Sequence, residues 1–591
     1  MPKQYDIIDM EHRLRFLQNM AVVTMLLLLV GLAFFQIIKS DEYVNLASRN
    51  RLRILRIAPP RGVITDAKGA PLALNVRTFN MNGYPIDLQK EENAKKVIAL
   101  LNRNGIPMDT ESFKKLIEKQ YSAPYRAITV ASNLTFAQVA EFVMDKDFKN
   151  TLFLAPVWRR SYPAGAFAAH VVGYVSEITK DELEERKGED YRGGDIIGKN
   201  GIEYSYEETL KGHAGEEVIE VDSRGRKLRD ISYVEPKRGQ DVSLTIDLTA
   251  QRYAAELIGG YRGAIIAMDV NNGDVKCLYS SPSYDPNPLT WGISSKEWKS
   301  LTDMAERPMM NRAISGAYPP ASTFKVITGS AGLAYNVVNT RTTVRCPGYF
   351  EIGGRRFRCW QRSGHGTENI LTALRDSCDV YFYQVGVWLG IDRLIAMAER
   401  YGVGEKTGID IPAEVQGTLA GPEWKKDKIK ENWYGGDTVN YSIGQGYVLM
   451  TPLQVLRVYA AIANGGKLLK PRLVSSSQPE FRELGLSPQI ISIMQNGLRE
   501  VARSGTGRRA STFGVQVAGK TGTAQNAHGE DHAWFVGYAP ADAPKYVAVA
   551  IAEAGKGGAA VAGPIVGKML NFLINGRKYA EPNPVVEQKI N

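Results

Sequence analysis

The pattern of hydrophobic and polar residues divides the 591-residue chain into an apolar N-terminal run and a long folded remainder. Residues 21–38 form an uncharged apolar run, which is apolar on every side around Leu26–Leu29, and 18 residues in a helix are with their flanks just enough to cross a bilayer core. No small-residue cleavage signal follows this run. We therefore predict a transmembrane signal anchor at 21–38, preceded by a cytoplasmic arm at 1–20.

Strand and helix signals are strongest in the second half of the chain. Asn271-Asn272-Gly273 separates two alternating apolar runs, and Asn-Gly between such runs is a strong signal for a hairpin. The predicted elements are strands at 242–246, 263–270, 274–281, 533–538 and 546–552 and a helix at 564–574. They predict a central antiparallel sheet flanked by helices, which is an α+β fold.

A cluster of proline, glycine and charged residues at Pro236-Lys237-Arg238-Gly239 predicts a domain boundary near residue 238. The chain is long enough for two or three domains, each with its own core. The predicted domains are an elongated mixed region at 39–238 with a head insertion at about 80–180, a second domain at 239–580, and a loose tail at 581–591.

Composition mainly excludes function classes. Apolar residues make up 44% and charged residues 23% of the chain, as in ordinary folded proteins, and the formal net charge is +10. Because nucleic-acid binding needs a concentrated basic face, we predict no nucleic-acid partner. The dense basic cluster is predicted to be solvated surface or, alternatively, a contact with anionic lipid or a partner; it comprises Arg49, Arg51, Arg53 and Arg56.

A serine and a lysine three residues apart, Ser322 and Lys325, form the first candidate for chemistry. Two prolines before Ser322 and an apolar run after it predict a helix that begins about there, with the serine at the positive end of the helix dipole. Lys325 returns to the same face one turn later, where a neutral amine can take the serine proton. Taken alone, the pair also fits a helix-capping serine and a surface lysine.

The second candidate is Lys520-Thr521-Gly522-Thr523, which follows a strand predicted at 514–519. We expect Lys520, Thr521 and Thr523 on a strand edge where they can bind a substrate carboxylate, and Gly522 leaves room for a substrate backbone. Lys520 is also a candidate for the neighbouring cation that would lower the pKa of Lys325. The alternative interpretation is an ordinary glycine-bearing turn.

Ser377-Cys378-Asp379 lies between these motifs and follows a helix-like stretch at 371–375. Ser377 is a plausible proton relay between Lys325 and an amine, and Asp379 can position a substrate amide or hold Lys325. In this order, the three motifs resemble those of the penicillin-binding proteins. The resemblance covers nearly the whole chain and is to the class B, elongation-specific penicillin-binding protein 2. Asp379 departs from the usual asparagine at that place, which leaves its role open.

The resemblance implies a serine-type D-Ala-D-Ala transpeptidase that cross-links peptidoglycan stem peptides during elongation. An acyl-enzyme would form on Ser322, and β-lactams would acylate the same residue. The resemblance also implies a pedestal (dimerisation-like) domain at 39–238, where we interpret a motif at 198–212 as packing. It places the chain in the bacterial inner membrane with its catalytic domain in the periplasm. The implied partners are a RodA-type glycosyltransferase and other elongation-complex proteins.

Several other functions fit the same motifs. A DD-carboxypeptidase would use water as the acceptor, and the division-specific transpeptidases share all three motifs. A β-lactamase needs a second base for deacylation, and no obvious candidate is present. A β-lactam-sensing receptor would need more than the short arm at 1–20 for signalling. A scaffold without catalysis disagrees with the intact serine and lysines.

One histidine and three cysteines fall within 33 residues and would complete a tetrahedral zinc shell; they are Cys346, Cys359, His365 and Cys378. Some penicillin-binding proteins 2 carry a structural zinc in this region, so the resemblance implies one structural ion and no cofactor for catalysis. A Cys346–Cys359 disulfide and free buried thiols are the alternatives. We expect Cys378 to face away from the cleft, so that a metal would pin the loop behind Ser377.

Overall fold

The computed structural model describes residues 5–43, 51–118, 127–145, 151–222, 227–526, 529–576 and 578, and the predicted tail at 581–591 lies outside them. The chain divides into two compact units. The first unit is formed by residues 1–59, 77–157 and 213–237, and the second by residues 60–76, 158–212 and 238–591.

The first unit begins with the predicted anchor. Helix Tyr5–Ala33 continues into a π-helix at Phe34–Ile38, and Met10–Ile38 is long and apolar enough to cross a membrane. None of its most apolar window is buried in the protein, as expected for a helix whose surroundings are lipid. The helix begins earlier than the apolar run at 21–38, because the polar residues before the run continue the same helix.

A three-stranded antiparallel sheet in the first unit has the order Leu52–Ile57, Gly215–Val221, Lys227–Val234. Arg51, from the predicted basic cluster, lies 3.1 Å from the carboxylate of Glu220, while 58% of the Arg51 side chain remains exposed. This member of the cluster is therefore both solvated and paired within the chain. Arg49 lies outside the described residues.

Residues 80–157 of the predicted head insertion lie in the first unit and form both helices and strands, whereas residues 158–180 belong to the second unit. From Phe79 onward, strand Pro71–Gly83 pairs antiparallel with Ile128–Leu134. A small core, which includes Met81, Leu101 and Phe142, lies among these elements. The remaining elements of this region are helices Pro85–Leu88, Glu91–Arg103, Thr110–Glu118 and Phe136–Met144 and strand Leu152–Ser161.

A five-stranded antiparallel sheet forms the centre of the second unit, and it confirms the predicted α+β fold and hairpin. We label its strands β1 (Gly263–Asp269), β2 (Val275–Ser281), β3 (Ala518–Ala524), β4 (His532–Ala539) and β5 (Tyr546–Ala552). Their order across the sheet is β2-β1-β5-β4-β3. The strand that carries Lys520 is therefore an edge strand, as the sequence predicted.

Helices cover both faces of this sheet, so its strands are apolar almost throughout rather than alternating. We label the main helices α1 (Leu248–Ile258), α2 (Lys325–Ala334), α3 (Ile370–Arg375), α4 (Asp379–Leu389), α5 (Pro452–Ala463), α6 (Pro488–Arg503) and α7 (Ala562–Asn575). Ile265 and Phe535 face a core that includes residues of α1 and α7, whereas Ile266 and Trp534 face a larger core that includes residues of α2 and α5.

The other elements of the second unit are short. The predicted strand at 242–246 is limited to Val242–Ser243, because the chain then bridges to Val474 instead of continuing a ladder. The further strands are Ile64–Thr65, Val175–Glu177, Ile196–Gly198, Val344–Cys346, Tyr349–Ile352, Arg355–Arg358, Gly366–Glu368, Thr418–Leu419, Val448–Leu449, Lys467–Leu469 and Phe481–Glu483. The further helices are Gly165–Phe167, Ala169–Val172, Lys180–Glu185, Gly201–Ser205, Glu207–Leu210, Asn287–Trp291, Ser295–Leu301, Arg312–Ser315, Ala321–Phe324, Ile391–Arg400, Pro422–Lys428, Gly435–Ser442 and Arg508–Ser511.

A buried ionic network occupies the motif at 198–212. Glu203 is fully buried and accepts hydrogen bonds from Arg61 and Arg160, each at 2.6 Å. Arg61 also lies 2.6 Å from Glu207, so two guanidinium groups face two carboxylates. Because every charge has an opposite partner, this arrangement agrees with the interpretation of the motif as packing.

Candidate active site

Ser322 lies in a short 3-10 turn, Ala321–Phe324, that continues directly into α2, close to the predicted helix start. Ala321 has a positive φ of 50°, which is strained for a residue with a side chain, and its N–H donates to the carbonyl of Gly444 at 2.8 Å. The carbonyl of Thr323 accepts a hydrogen bond from the Tyr459 hydroxyl at 2.9 Å. The turn is thus held from outside, with the serine at the entrance to the helix.

The structure brings Lys325 together with both polar members of the middle motif. Lys325 is fully buried, and its Nζ donates to Asp379 Oδ1 at 2.7 Å, to Ser377 Oγ at 3.2 Å and to the Ser377 carbonyl at 2.8 Å. Ser377 has a φ of 54° in the sharp turn between α3 and α4. Asp379 begins α4 and holds Lys325, which is one of the two roles considered for it.

The Ser322 hydroxyl has no hydrogen-bond partner among the described residues of the protein. The ammonium of Lys325 is directed instead to Ser377 and Asp379. Catalytic hydrogen bonds are often absent before a substrate is bound, so this geometry leaves the serine free to meet a ligand. The role of Lys325 as the base stays a prediction.

Lys520 lies on edge strand β3 and is also fully buried. Burial lowers the pKa of its ammonium well below 10.5, and the neighbouring charge of Lys325 lowers it further. Its Nζ donates to the carbonyl of Thr521 at 3.3 Å and makes no ion pair with any described carboxylate. The two lysines from distant parts of the sequence therefore lie close enough to influence each other.

Strand β3 begins later than predicted, at Ala518 rather than Gly514. Gly514 has a φ of 84°, and the N–H of Val517 donates to the Ser511 hydroxyl rather than to a neighbouring strand. The alternation at 514–517 therefore belongs to a loop.

Gly522 packs against the segment that carries Ser322. A Cβ atom at this position would lie 3.1 Å from Thr323 Cγ2, 3.3 Å from the Pro320 carbonyl oxygen and 3.1 Å from Trp534 Cβ. These spacings are tight, so a side chain would push the strand and the nucleophile segment apart. The predicted reason for glycine, access for a substrate, is thus joined by a second reason, the close packing of β3. Thr523 is exposed on the same strand.

Two polar residues beside the site were missed in the sequence. Thr506 Oγ1 lies 2.9 Å from Thr521 Oγ1, and the main-chain N–H of Trp360 donates to Asp379 Oδ2 at 2.9 Å. Glycines on both sides of Thr506 were the available signal, because a Cβ at Gly505 would lie 2.2 Å from the Arg375 carbonyl oxygen. Trp360 carried no motif, although it follows the candidate metal ligand Cys359.

The cysteine and histidine side chains come together behind the middle motif. One ligand atom from each of Cys346, Cys359, His365 and Cys378 lies within 4.8 Å of all the others. His365 Nδ1 is 3.6 Å from Cys346 Sγ and 3.5 Å from Cys359 Sγ. Nitrogen and sulfur ligands on one tetrahedral zinc lie about 3.6 Å apart, so the spacing fits this ion. All four cysteines of the chain are free thiols in the structure.

This cluster connects to the candidate catalytic residues through the chain itself. Cys378 is fully buried, while its neighbours Ser377 and Asp379 contact Lys325. Trp360, next to Cys359, donates to Asp379 through its main chain and to the Ser377 carbonyl through its indole N–H at 3.2 Å. The cluster therefore lies directly behind the groups that hold Lys325.

The site can support acyl transfer. It combines a serine hydroxyl at a helix entrance, a buried lysine with two polar partners, and an edge strand that can pair with an extended peptide. Lys520 adds an ammonium that has no carboxylate partner among the described residues, which suits an anionic ligand.

Comparison with known proteins agrees with this chemistry. The penicillin binding protein transpeptidase domain family matches residues 263–571, and the penicillin-binding protein dimerisation domain family matches residues 56–244. The chain is 36% identical to the peptidoglycan D,D-transpeptidase MrdA of Haemophilus influenzae, over 95% of this chain and 93% of that protein.

Solved structures are similar as well. Penicillin-binding protein 2 of Helicobacter pylori, in its complex with MreC, superposes with a TM-score of 0.79 at 30% identity, covering 89% of this chain and 99% of that one. A chain from a peptidoglycan synthase complex that coordinates polymerization and crosslinking superposes with a TM-score of 0.74 at 30% identity, covering 96% and 100% of the two chains. The chain therefore belongs to the class B penicillin-binding proteins, in the penicillin-binding protein 2 group.

Proposed function

We propose that this serine-type peptidoglycan D,D-transpeptidase of cell elongation, which β-lactams inhibit, forms its acyl-enzyme on Ser322. The observation that carries the assignment is the set of contacts of Lys325, which meets Ser377 and Asp379 one helical turn after Ser322. A helix entrance, a buried amine and a polar relay are the parts that an activated serine requires.

The first half-reaction transfers an acyl group to the serine. Ser322 Oγ attacks the carbonyl carbon of the penultimate D-alanine of a donor stem peptide, and its proton passes to Lys325. The ammonium so formed has the partners that the structure shows, the Asp379 carboxylate and Ser377. When the peptide bond breaks, the nitrogen of the terminal D-alanine receives a proton through Ser377, and the terminal D-alanine leaves.

The second half-reaction forms the cross-link. The amine of a neighbouring stem peptide attacks the ester carbonyl on Ser322, loses a proton, and the serine oxygen regains one. Water in place of this amine would give carboxypeptidase activity from the same intermediate.

Lys520, Thr521 and Thr523 hold the terminal carboxylate of the donor in this proposal, while the donor backbone extends along Gly522 on the β3 edge. The support is the buried ammonium without a carboxylate partner among the described residues and the exposed hydroxyl of Thr523. A carboxylate that enters this pocket would supply the missing negative charge. Main-chain N–H groups at Ser322 and after Gly522 would receive the oxyanion.

Labelling with a fluorescent penicillin tests the assignment of the nucleophile. The native protein should label, and Ser322→Ala should abolish labelling while the protein retains its thermal unfolding transition. A variant of the neighbouring Thr323, Thr323→Ser, retains a hydroxyl in the same turn and should still label. A native protein that is not labelled by the penicillin, or a Ser322→Ala protein that is labelled, would refute the proposal.

We also propose that Cys346, Cys359, His365 and Cys378 bind one structural zinc ion. The ion would supply no chemistry to the reaction and would fix the loop that carries Trp360 against Asp379. The support is the convergence of four ligand atoms and their tetrahedral spacing. Metal analysis of protein purified without chelator should find about one equivalent of zinc, and less than about half an equivalent would contradict the assignment.

We place the chain in the bacterial inner membrane as a single-pass protein with its catalytic unit in the periplasm. The helix Met10–Ile38 is the candidate span, and cross-linked peptidoglycan lies outside that membrane. A reporter fused after the span distinguishes the two orientations, because a periplasmic enzyme such as alkaline phosphatase is active only outside the cytoplasm.

We infer that a RodA-type glycosyltransferase and other elongation-complex proteins are its partners. The supporting observation is the similarity to chains found with MreC and in a peptidoglycan synthase complex. Depletion of the protein should make rod-shaped cells round. Filamentation would indicate a role in division instead.

A further inference from the structure

A largely buried carboxylate, which takes no part in the reaction described above, follows strand β5. Glu553 Oε1 accepts a hydrogen bond from Arg312 Nε at 2.9 Å and one from the Tyr318 hydroxyl at 2.7 Å, and Glu553 Oε2 lies 3.3 Å from Arg262. Arg312 is almost fully buried, and its remaining nitrogens donate to main-chain carbonyls. Glu553 is therefore held in one place, with an oxygen directed at Tyr318.

Tyr318 connects this carboxylate to the chain that carries the nucleophile. Its main chain exchanges hydrogen bonds with Met450 at 3.0 and 2.9 Å. Only Pro319, Pro320 and Ala321 separate it from Ser322. Each proline fixes its own φ and has no N–H, so this link is stiff and transmits a displacement of Tyr318 to the serine.

The ring of Tyr318 also packs on strand β4, which pairs with β3 in the central sheet. It meets Trp534 and His532 of β4 edge to face, with ring centroids 6.0 and 5.7 Å apart. Trp534 is the pairing partner of Gly522 on β3. The side chain of Tyr318 thus contacts β4, the neighbour of Gly522 in the sheet, and its main chain continues directly into the turn that carries Ser322.

We propose that the hydrogen bond from Tyr318 to Glu553 is a positioning contact, which sets the Ser322 hydroxyl against the Gly522 edge for acylation. Tyr318 and Glu553 are positioning residues here, since they act through Ser322. The inference rests on the proposed nucleophile. Burial raises the pKa of Tyr318, with the Glu553 carboxylate acting in the same direction, so its hydroxyl stays a donor. Displacement of a reacting atom slows the chemical step more than it weakens binding.

Stopped-flow acylation by a fluorescent penicillin separates the dissociation constant Kd from the acylation rate constant k2. Tyr318→Phe should lower k2 by about tenfold and leave Kd unchanged, as expected for the loss of one hydrogen bond to a charged group. Rates are expressed per site that can be titrated, so unfolded protein does not affect k2. A k2 within about twofold of the native value would overturn the inference.

A matched control removes another buried tyrosine hydroxyl. Tyr401 Oη lies 2.9 Å from Ser330 Oγ, which is about two turns further along α2 than Ser322. Tyr401→Phe should lower the melting temperature without changing k2. An equal loss of k2 in this control would assign the Tyr318 effect to general stability and overturn the proposal.

Glu553→Gln provides the conservative replacement, because its amide oxygen can still accept from Tyr318 and Arg312. Its k2 should stay within about threefold of the native value; a tenfold loss would show that the negative charge of Glu553, and not the position of its hydrogen bond with Tyr318, determines k2, and would overturn the proposal. A native protein that is never acylated would refute the assignment of Ser322 itself. Native acylation with an unaffected Tyr318→Phe would refute the positioning role alone.

Discussion

Two buried groups of charges in the second unit differ in their balance. In the network around Glu203, two guanidinium groups face two carboxylates, and each ion has an opposite partner within 2.6 Å. In the active site, Lys325 is paired with Asp379 at 2.7 Å, whereas the equally buried Lys520 has no carboxylate partner among the described residues. The charges of the first group balance, whereas the second group has one more positive charge than negative charges.

This difference separates a structural cluster from a functional one. An unpaired buried charge costs stability, so a fold retains it where a ligand supplies the missing charge. A donor peptide that ends in a carboxylate would complete the active-site group. The Glu203 network offers a ligand no free charge, and we expect it only to stabilise the fold.

The largest expected effect concerns Lys325. Lys325→Met should slow acylation by about 10⁴-fold, because nucleophile and base act as a unit. The measurement is the rate of labelling by a fluorescent penicillin.

Lys425 provides the matched control for this variant. It is also buried and lies 2.9 Å from a carboxylate, that of Asp437. Lys425→Met should lose stability but retain the acylation rate. A Lys325→Met protein that acylates at a comparable rate would contradict the role of Lys325 as the base.

Lys520→Met tests the unpaired charge directly. We expect acylation to fall by about 10²–10³-fold, the usual result of removing one group that binds developing or ligand charge. The melting temperature should rise or stay constant, because a buried ammonium without a partner is replaced by an apolar side chain. Acylation rates and thermal unfolding of the same preparations check both parts, and a marked loss of stability would contradict the comparison.

Glu203→Gln should show the opposite behaviour. Removing one charge leaves Arg61 and Arg160 buried with too little negative charge, which costs about 3 kcal/mol of stability. The acylation rate per titrated site should not change. Thermal unfolding and penicillin titration provide the two measurements, and a stable protein with slow acylation would reverse our assignment of the two clusters.

The smallest effect is a pH dependence. The folded pKa of Lys520 is lowered well below 10.5, so between that pKa and 10.5 the unfolded chain binds more protons and stability rises with pH. The buried Lys520 ammonium therefore lowers the free energy of unfolding by the full amount below the folded pKa, and this loss decreases as the pH approaches 10.5. The difference in melting temperature between Lys520→Met and native protein should narrow by this pH, and a constant difference would contradict the lowered pKa.

The sequence predicted the sheet well because its strands carry local signals. The Asn271-Asn272-Gly273 hairpin and strands β4 and β5 lie where apolar runs and turn residues predicted them. Local patterns failed at 514–517, where the N–H of Val517 donates a hydrogen bond to the Ser511 hydroxyl and not to a neighbouring strand. They also failed at 244–246, because the strand there ends after Val242–Ser243. At 244–246 a bridge to the distant Val474 determined the backbone, whereas at 514–517 the positive φ of Gly514 and the local hydrogen bond to Ser511 did so.

The same distinction applies to the site. Three short motifs marked the lysines and serines, and the structure brings Lys325, Ser377 and Asp379 into direct contact. Thr506 was not found, because it reaches the site only through a side chain from another part of the chain. Tyr318 stood next to the first motif, yet its partner Glu553 is 235 residues away, so no local pattern could show the contact.

Mass spectrometry of the protein after reaction with a penicillin tests whether Ser322 is the residue that is acylated. We predict one covalent adduct per chain, located on the peptide that contains Ser322, and no adduct in Ser322→Ala. An adduct on any other residue, or a native protein that remains unmodified, would contradict this prediction.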